Sequence, residues 1–260
     1  MSRNNNIFRT IEEIPVATLH HLTQKNIFFG HQSVGGNICQ GIEDIVRNNS
    51  RVNLRIIETR SAAELARGVF GHFKIGKNQH PLSKNEDFAS ILNSGLGDKA
   101  AIAFFKYCYI DITETTEVSS LFSSYVKTMA SLKDRYPSLL LVHVTVPLTV
   151  VQRGPRAWIK RAIGRKVGGY DANIQRNRFN ELLRNTYSGR EPLFDLALLE
   201  ATRADGSQAV FKKNGRAFHT LSPEYSSDGR HLNTYGSRFI AEKLLVFLVE
   251  LAAPHHPGGN

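Results

Sequence analysis

Short apolar runs alternate along the chain with longer segments whose apolar positions recur at helical spacing. The runs predict strands at residues 26–30, 52–58, 100–107, 139–146 and 193–198. Residues 100–107 and 139–146 are apolar nearly throughout, as suits strands covered on both faces of a sheet. Between strands, residues 34–47 place Ile38, Ile42, Ile45 and Val46 at helical spacing. Residues 171–187 do the same with Ile174, Phe179, Leu182 and Leu183 in an otherwise polar stretch. Residues 121–135 read as a helix that ends at Tyr136-Pro137, and 233–251 as a closing helix. Five strands with helices between them predict the α/β class, as a three-layer α/β/α sandwich around a five-stranded parallel sheet.

Composition narrows the class without changing it. The 260 residues are 41% apolar and 22% charged, ordinary for a globular chain, and long enough to bury a core without disulfides. Two cysteines, Cys39 and Cys108, supply neither a disulfide framework nor a four-thiolate zinc site. No apolar run approaches the roughly 18–20 residues of a membrane span. Residues 1–7 are polar and lack the apolar core of a signal peptide, so the sequence as written reads as cytoplasmic. A leader ahead of it would make it periplasmic or secreted. No internal repeat or low-complexity tract is present. The expected organisation is an N-terminal extension at 1–25, one domain at 26–252 with a basic insertion at about 151–170, and a loose tail at 253–260.

In a sheet of this kind, ligands sit beyond the carboxyl ends of the strands. Three segments fall there: Gly30-His31-Gln32-Ser33-Val34-Gly35-Gly36, Lys106-Tyr107-Cys108-Tyr109-Ile110-Asp111, and Asp228-Gly229-Arg230-His231-Leu232-Asn233. The first is a strand-to-helix turn. It presents the Ser33 hydroxyl where the free N–H groups of a first helical turn can steady an oxyanion. The competing reading makes Ser33 a helix N-cap. Neither a Gly-x-Gly-x-x-Gly nor a P-loop accompanies the glycines, which argues against a nucleotide. In the third segment, Asp228 stands three residues before His231, where a carboxylate can fix the imidazole tautomer for proton transfer.

These blocks resemble those of the SGNH (GDSL-like) hydrolases, a superfamily of esterases and lipases with a flavodoxin-like fold. Asp228-Gly229-Arg230-His231 matches the family's Asp-x-x-His block, and Phe28-Phe29-Gly30-His31-Gln32-Ser33 is similar to its first block. The resemblance spans residues 26–251. It implies Ser33 as nucleophile, His231 as general base and Asp228 as its orienting acid. It further implies an ester substrate, of which carbohydrate O-acetyl groups are one common class, and no cofactor. An acyltransferase with the same triad differs only in how well water is excluded.

Two blocks depart from the family pattern. His31 and Gln32 stand where an aspartate usually precedes the serine, and both become candidates for lining the site. Cys108 falls where an asparagine normally completes the oxyanion hole, and a thiol is a poor donor beside an amide. Either Lys106 or a tyrosine then supplies the donor, or the hole is weaker. Lys106 and Cys108 lie on one side of their strand. The plainer reading of Lys106 is a side chain reaching to the rim or pairing with Asp111. The second-block glycine is Gly68, Gly71 or Gly76, with Gly71 preferred. These departures favour the rival reading, a non-catalytic carbohydrate- or anion-binding protein on the same fold.

The chain carries ten histidines, of which His31, His72, His80 and His143 could come together at the strand ends only through the fold. No histidine or cysteine spacing matches a metal motif, so no metal is expected. The charge is uneven. With 33 Lys+Arg against 23 Asp+Glu, the excess concentrates at 153–190, which holds ten bases and two acids. This segment, with Trp158 and a basic amphipathic run at 157–167, reads either as a docking surface for an anionic partner or as a solvated face. No nucleic-acid-binding signature accompanies it. The stretch 205–227 reads as a loop leading into Asp228.

Overall fold

Strand β1, Ile27–His31, is buried at all five positions. Its side chains alternate between two cores. Ile27 and Phe29 join one cluster with helices at the two ends of the chain, and Phe28 joins the other with Phe88, Phe105 and Tyr125. That alternation is the period-two pattern of a strand covered on both faces. It recurs in β4, Ile102–Phe105, where Ile102 and Phe104 face the first cluster and Ala103 and Phe105 the second. The computed structural model describes residues 9–151 and 169–253.

The remaining sheet strands are β2 (Arg55–Glu58), β3 (Val69–Lys74), β5 (Leu140–Val144) and β6 (Leu193–Phe194). All pairings are parallel, in the order β2-β3-β1-β4-β5-β6. Helices α1 (Val16–Thr23), α2 (Val34–Asn48), α3 (Pro81–Ile91), α4 (Val118–Arg135), α5 (Tyr170–Tyr187), α6 (Leu196–Ala201) and α7 (Thr234–Ala252) complete the layers. The fold is the expected three-layer α/β/α sandwich with six strands in place of five. The added strand is β3, in a segment whose glycines and His72 break the apolar run from which strands are read. The predicted strand at 193–198 stops after Phe194, because Asp195 caps α6 by accepting the Leu198 N–H at 3.2 Å. Ahead of β1, Ile11, Ile14, Leu19 and Leu22 are buried in the first core.

The stretch 205–227 is not a plain loop. It holds an antiparallel hairpin, β7 (Val210–Lys213) and β8 (Arg216–His219), turned at Asn214-Gly215, both with positive φ. Asn-Gly is the pair that a tight two-residue hairpin turn favours. The basic insertion between 152 and 168 and the tail after 253 lie outside the described residues. Among the described residues, no helix is long and apolar enough to cross a membrane.

Helix α2 begins at Ser33 and packs along α7. Val34, Ile38, Ile42 and Ile45 bury its inner face against Ile240, Leu244 and Leu248 of α7 within one core. The helices touch most closely at Gly41, where a Cβ would lie 2.4 Å from the Ser237 carbonyl oxygen and 2.8 Å from Ala241 Cβ. Backbone cannot give way as a flexible side-chain end can, so any side chain here pushes the helices apart. Gly41→Val is expected to destabilise the fold by about 1–3 kcal/mol or more, the usual range for overpacking, as read by chemical denaturation. Unchanged stability would show that the α2–α7 contact tolerates separation.

Candidate active site

The carboxyl ends of β1 and β4 and the turn before α7 meet at one edge. Ser33 follows β1 with φ 51° and ψ −112°, positive φ for a residue with a Cβ. Such a conformation costs on the order of 1–3 kcal/mol and persists only where neighbours enforce it. Ser33 occupies the N-cap position of α2, yet its hydroxyl makes no capping hydrogen bond. Among the described residues, the N–H groups of Ser33 and Val34 have no hydrogen-bond acceptor, while Gly35, Gly36 and Asn37 already donate to the carbonyls of Gln32 and Ser33. The turn thus offers a half-buried hydroxyl beside two open backbone donors.

Gln32 is held from both sides. Its side-chain amide donates to the carbonyls of Ile75, at 3.3 Å, and Gly76, at 3.1 Å. Its own carbonyl accepts from Lys106 Nζ at 3.0 Å. Lys106 is 1% exposed and also contacts the Tyr107 carbonyl, at 3.4 Å, and Cys108 Sγ, at 3.7 Å. Lys106 and Cys108 therefore do share a side. Lys106 does not pair with Asp111. The partner of Asp111 is Lys84, in a wholly buried ion pair. Asp111 also accepts from the backbone N–H of Gln79 at 2.9 Å and of Cys108 at 2.6 Å, joining the loop before α3 to the loop after β4.

The final turn supplies the acid–imidazole pair. His231 Nδ1 lies 2.6 Å from Asp228 Oδ2, and Asp228 Oδ1 accepts from the N–H groups of Arg230 and His231 at 2.8 and 2.7 Å. The hydrogen bond to the His231 ring, and then those backbone donors, hold the Asp228 carboxyl well below the usual carboxylate range. Carboxylate on Nδ1 fixes the tautomer that leaves Nε2 as acceptor. Both side chains are open to solvent, at 43% and 51% exposure. No hydrogen bond joins His231 to Ser33. His231 Nε2 instead faces the Tyr109 hydroxyl at 3.4 Å, with the two rings edge to face. Tyr109 is positioned by Arg176, buried in α5, which donates from Nε to the Tyr109 carbonyl at 2.7 Å.

The other expected residues separate. Gly71 sits inside β3, paired with Phe28 and Ile57, where a Cβ would lie 2.8 Å from Leu65. It is not brought to the site. Gly76 is at the right edge, but its N–H is already given to Asp87 Oδ2 at 2.9 Å. His31 does not line the edge beside Ser33 either. It is 2% exposed and turned beneath α2, with Nε2 3.0 Å from His72 Nδ1 and 3.6 Å from Cys39 Sγ. His80 precedes α3, and His143 is buried against Tyr125 and Glu191. Of the ten bases counted at 153–190, Arg176 is buried and Arg184 is paired with Asp195. Neither serves as a free surface charge, and Arg153 to Lys166 lie outside the described residues.

The three-layer sandwich, with a serine after its first strand and an Asp-x-x-His turn before its closing helix, is the arrangement expected from the sequence resemblance to the SGNH hydrolases. Among solved structures, this chain is similar to a Streptococcus pneumonia protein provisionally described as a platelet activating factor. That likeness has 15% identity, a TM-score of 0.50, and covers 90% of each chain. At this identity the likeness shows the fold alone. A carbohydrate esterase family 3 protein from Talaromyces cellulolyticus aligns at 13% identity and TM-score 0.48, over 87% of this chain and 96% of that one. A serine-to-alanine mutant of an acetyl esterase, solved with an acetate ion, aligns with the same identity, coverage and TM-score. No protein-family model matches the sequence, and no curated protein matches it.

Two variants probe how the edge is held. Lys106→Met removes the donor to Gln32 and is expected to cost about 1–3 kcal/mol, the range for stranding a buried acceptor. Denaturation at neutral pH reads it, and a change within error would show that Lys106 does not hold the turn. Glu200, in α6, is fully buried. Oε2 accepts the Leu148 N–H at 2.8 Å, and Oε1 has no partner among the described residues. Burial pushes its carboxyl up to about 8. Because the unfolded carboxyl ionises first, the native state holds the extra proton, and stability falls as pH rises from the unfolded value through about 8. Glu200→Gln should therefore lose less stability than wild type between about pH 6 and pH 9, and parallel losses would overturn this assignment.

Proposed function

We propose that this chain hydrolyses carboxylic esters with Ser33 as nucleophile, His231 as general base and Asp228 as the acid that orients it. The observation that carries the reading is the 2.6 Å contact of Asp228 with His231 Nδ1 at the edge where β1 delivers Ser33. Ser33 Oγ attacks the ester carbonyl and passes its proton to His231 Nε2. The tetrahedral oxyanion rests on the N–H groups of Ser33 and Val34. His231 then protonates the leaving alcohol, and water repeats the sequence to release the acid. The Ser33–His231 contact closes with substrate in place, since catalytic hydrogen bonds often tighten only in the Michaelis complex. The sequence resemblance extends the proposal to short acyl groups on carbohydrate hydroxyls.

A second reading, binding without turnover, is favoured by Cys108. Its sulfur is buried and turned to Lys106, so the edge lacks the amide donor expected at that position. Two measurements separate the readings. A fluorophosphonate should label wild type at Ser33, located by peptide mass. On short acyl esters of a chromogenic alcohol, Ser33→Ala should lose on the order of a thousandfold in kcat with its fold intact. Full activity in Ser33→Ala would move the nucleophile elsewhere. Wild type that neither takes the label nor turns over any ester leaves the binding reading standing.

A further inference from the structure

We propose that His31, Cys39 and His72 form a binding site for one zinc-class metal ion, clamped between β1, β3 and α2. His31 ends β1, His72 lies in the adjacent β3, and Cys39 hangs from the second turn of α2 above them. Their donor atoms all lie within 4.8 Å of one another. The closest separations are 3.0 Å between the two ring nitrogens and 3.6 Å from Cys39 Sγ to His31 Nε2. A tetrahedral zinc with bonds of about 2.0–2.1 Å to nitrogen and 2.3 Å to sulfur spaces its ligand atoms roughly 3.3–3.6 Å apart. The two pairs that include His31 match that spacing once the rings part by a few tenths of an ångström, and Cys39 lies within 4.8 Å of His72.

The donor set is chemically selective. One thiolate and two imidazoles suit zinc and its tetrahedral substitutes and do not suit magnesium or calcium, which take oxygen. His31 Nε2 and His72 Nδ1 share one hydrogen bond at 3.0 Å, so at least one of the two nitrogens is an unprotonated acceptor of the kind that binds metal. Among the described residues, the only polar partners of the His31 ring are the other two members of the cluster, and its Nδ1 has none. The fold therefore commits this ring to no competing role. His72 is half-buried and leaves a way in from solvent. Glu58 stands across the β2–β3 pairing from His72 but is not among the donors gathered within 4.8 Å, which leaves the fourth position to a solvent ligand.

Binding requires the Cys39 proton to leave. Burial foremost pushes this thiol far up, with Glu43 and Glu58 adding to the effect and Lys106 opposing it. Facing the cluster are Glu43 from α2, Glu58 from β2, Lys74 from β3 and Lys106 after β4. The departing thiol proton passes to solvent, and the thiolate takes its place as a ligand. The ion would fasten the end of β1 two residues before Ser33, adding a restraint to the serine turn from below.

Cobalt(II) and zinc(II) are the probes, added to the full chain after treatment with a chelator. Wild type is expected to take up one equivalent of cobalt, with tetrahedral visible bands and a thiolate-to-metal charge-transfer band that zinc abolishes. Zinc should also raise Tm. Cys39→Ser should remove the charge-transfer band and weaken zinc binding about 100-fold or more, and His72→Gln should weaken it comparably. Cys108→Ser should keep the band, which separates the two cysteines. If Cys39→Ser does not fold, the wild-type spectrum and protection of the Cys39 peptide from alkylation by bound zinc decide the matter. Absence of cobalt uptake at micromolar free ion would overturn the proposal. So would octahedral bands without a sulfur transition. Uptake that survives both Cys39→Ser and His72→Gln would also overturn it, pointing to the adjacent histidines His20-His21 or His255-His256.

Discussion

A buried ammonium holds the edge together. Lys106 has almost no contact with water, and its charge is tolerable only because polar groups surround it. Those groups are the carbonyls of Gln32 and Tyr107 and the sulfur of Cys108, with Glu200 and Lys106 also coupled electrostatically. The carbonyl of Gln32 belongs to the peptide that leads into Ser33, so satisfying the cation fixes the turn that carries the hydroxyl. The strained backbone at Ser33 follows from this. A residue at positive φ relaxes unless both flanks are pinned. Here Lys106 and the carbonyls of Ile75 and Gly76 pin one flank, and the packing of α2 on α7 pins the other.

The same device appears a second time. The buried pair of Lys84 and Asp111 ties α3 to the loop after β4, and Asp111 also accepts from the backbone N–H groups of Gln79, in the loop before α3, and of Cys108. Arg176 repeats it from α5, donating to the carbonyls of Tyr109 and Ile112. Three buried cations thus replace the regular ladder where the strands end and their backbone groups would otherwise be unpaired. Breaking one partner of such an arrangement costs far more than the intact pair contributes. The edge is therefore rigid where Lys106, Lys84 and Arg176 act. It is more open at Asp228 and His231, whose turn holds no buried cation among the described residues and is tied to the rest by the Val150 N–H on the Gly229 carbonyl at 2.8 Å and by Tyr109.

Much of this could be read from the sequence, but unevenly. The apolar runs of β1, β4 and β5 are legible because strands covered on both faces need little else, and Asp228-x-x-His231 is legible because its contact is local. Strand β3 is not, since Gly71 and His72 interrupt its apolar run and its second half is only partly buried. The misplacement of Gly71 follows, because without β3 there is no register to show which glycine reaches the strand end. The His31–Cys39–His72 cluster is invisible for a related reason. Its members lie on three elements and meet only through the parallel pairing of β1 with β3 and the seating of α2 above them. Arg176 shows the limit of counting charge. A base in a basic segment reads as surface until the fold buries it.

If Ser33 is the nucleophile, Cys108 standing where the family has an asparagine has a chemical consequence. With Cys108 turned to Lys106, the oxyanion donors left at the edge are the backbone N–H groups of Ser33 and Val34. Loss of one donor from such a hole costs about two to three powers of ten in rate. Tyr109 offers a hydroxyl nearby, but it is directed at His231 Nε2, the atom that must accept the serine proton. On that reading, Nε2 cannot accept from Tyr109 and Ser33 together, so the closing of Ser33 on Nε2 displaces the Tyr109 hydroxyl. The hydroxyl is then free to donate to the oxyanion. A donor whose hydrogen bond strengthens as charge develops stabilises the transition state more than the ground state, which is the condition for raising kcat. The replacement of an amide by a thiol after β4 and the approach of Tyr109 to His231 are, on this account, two halves of one arrangement.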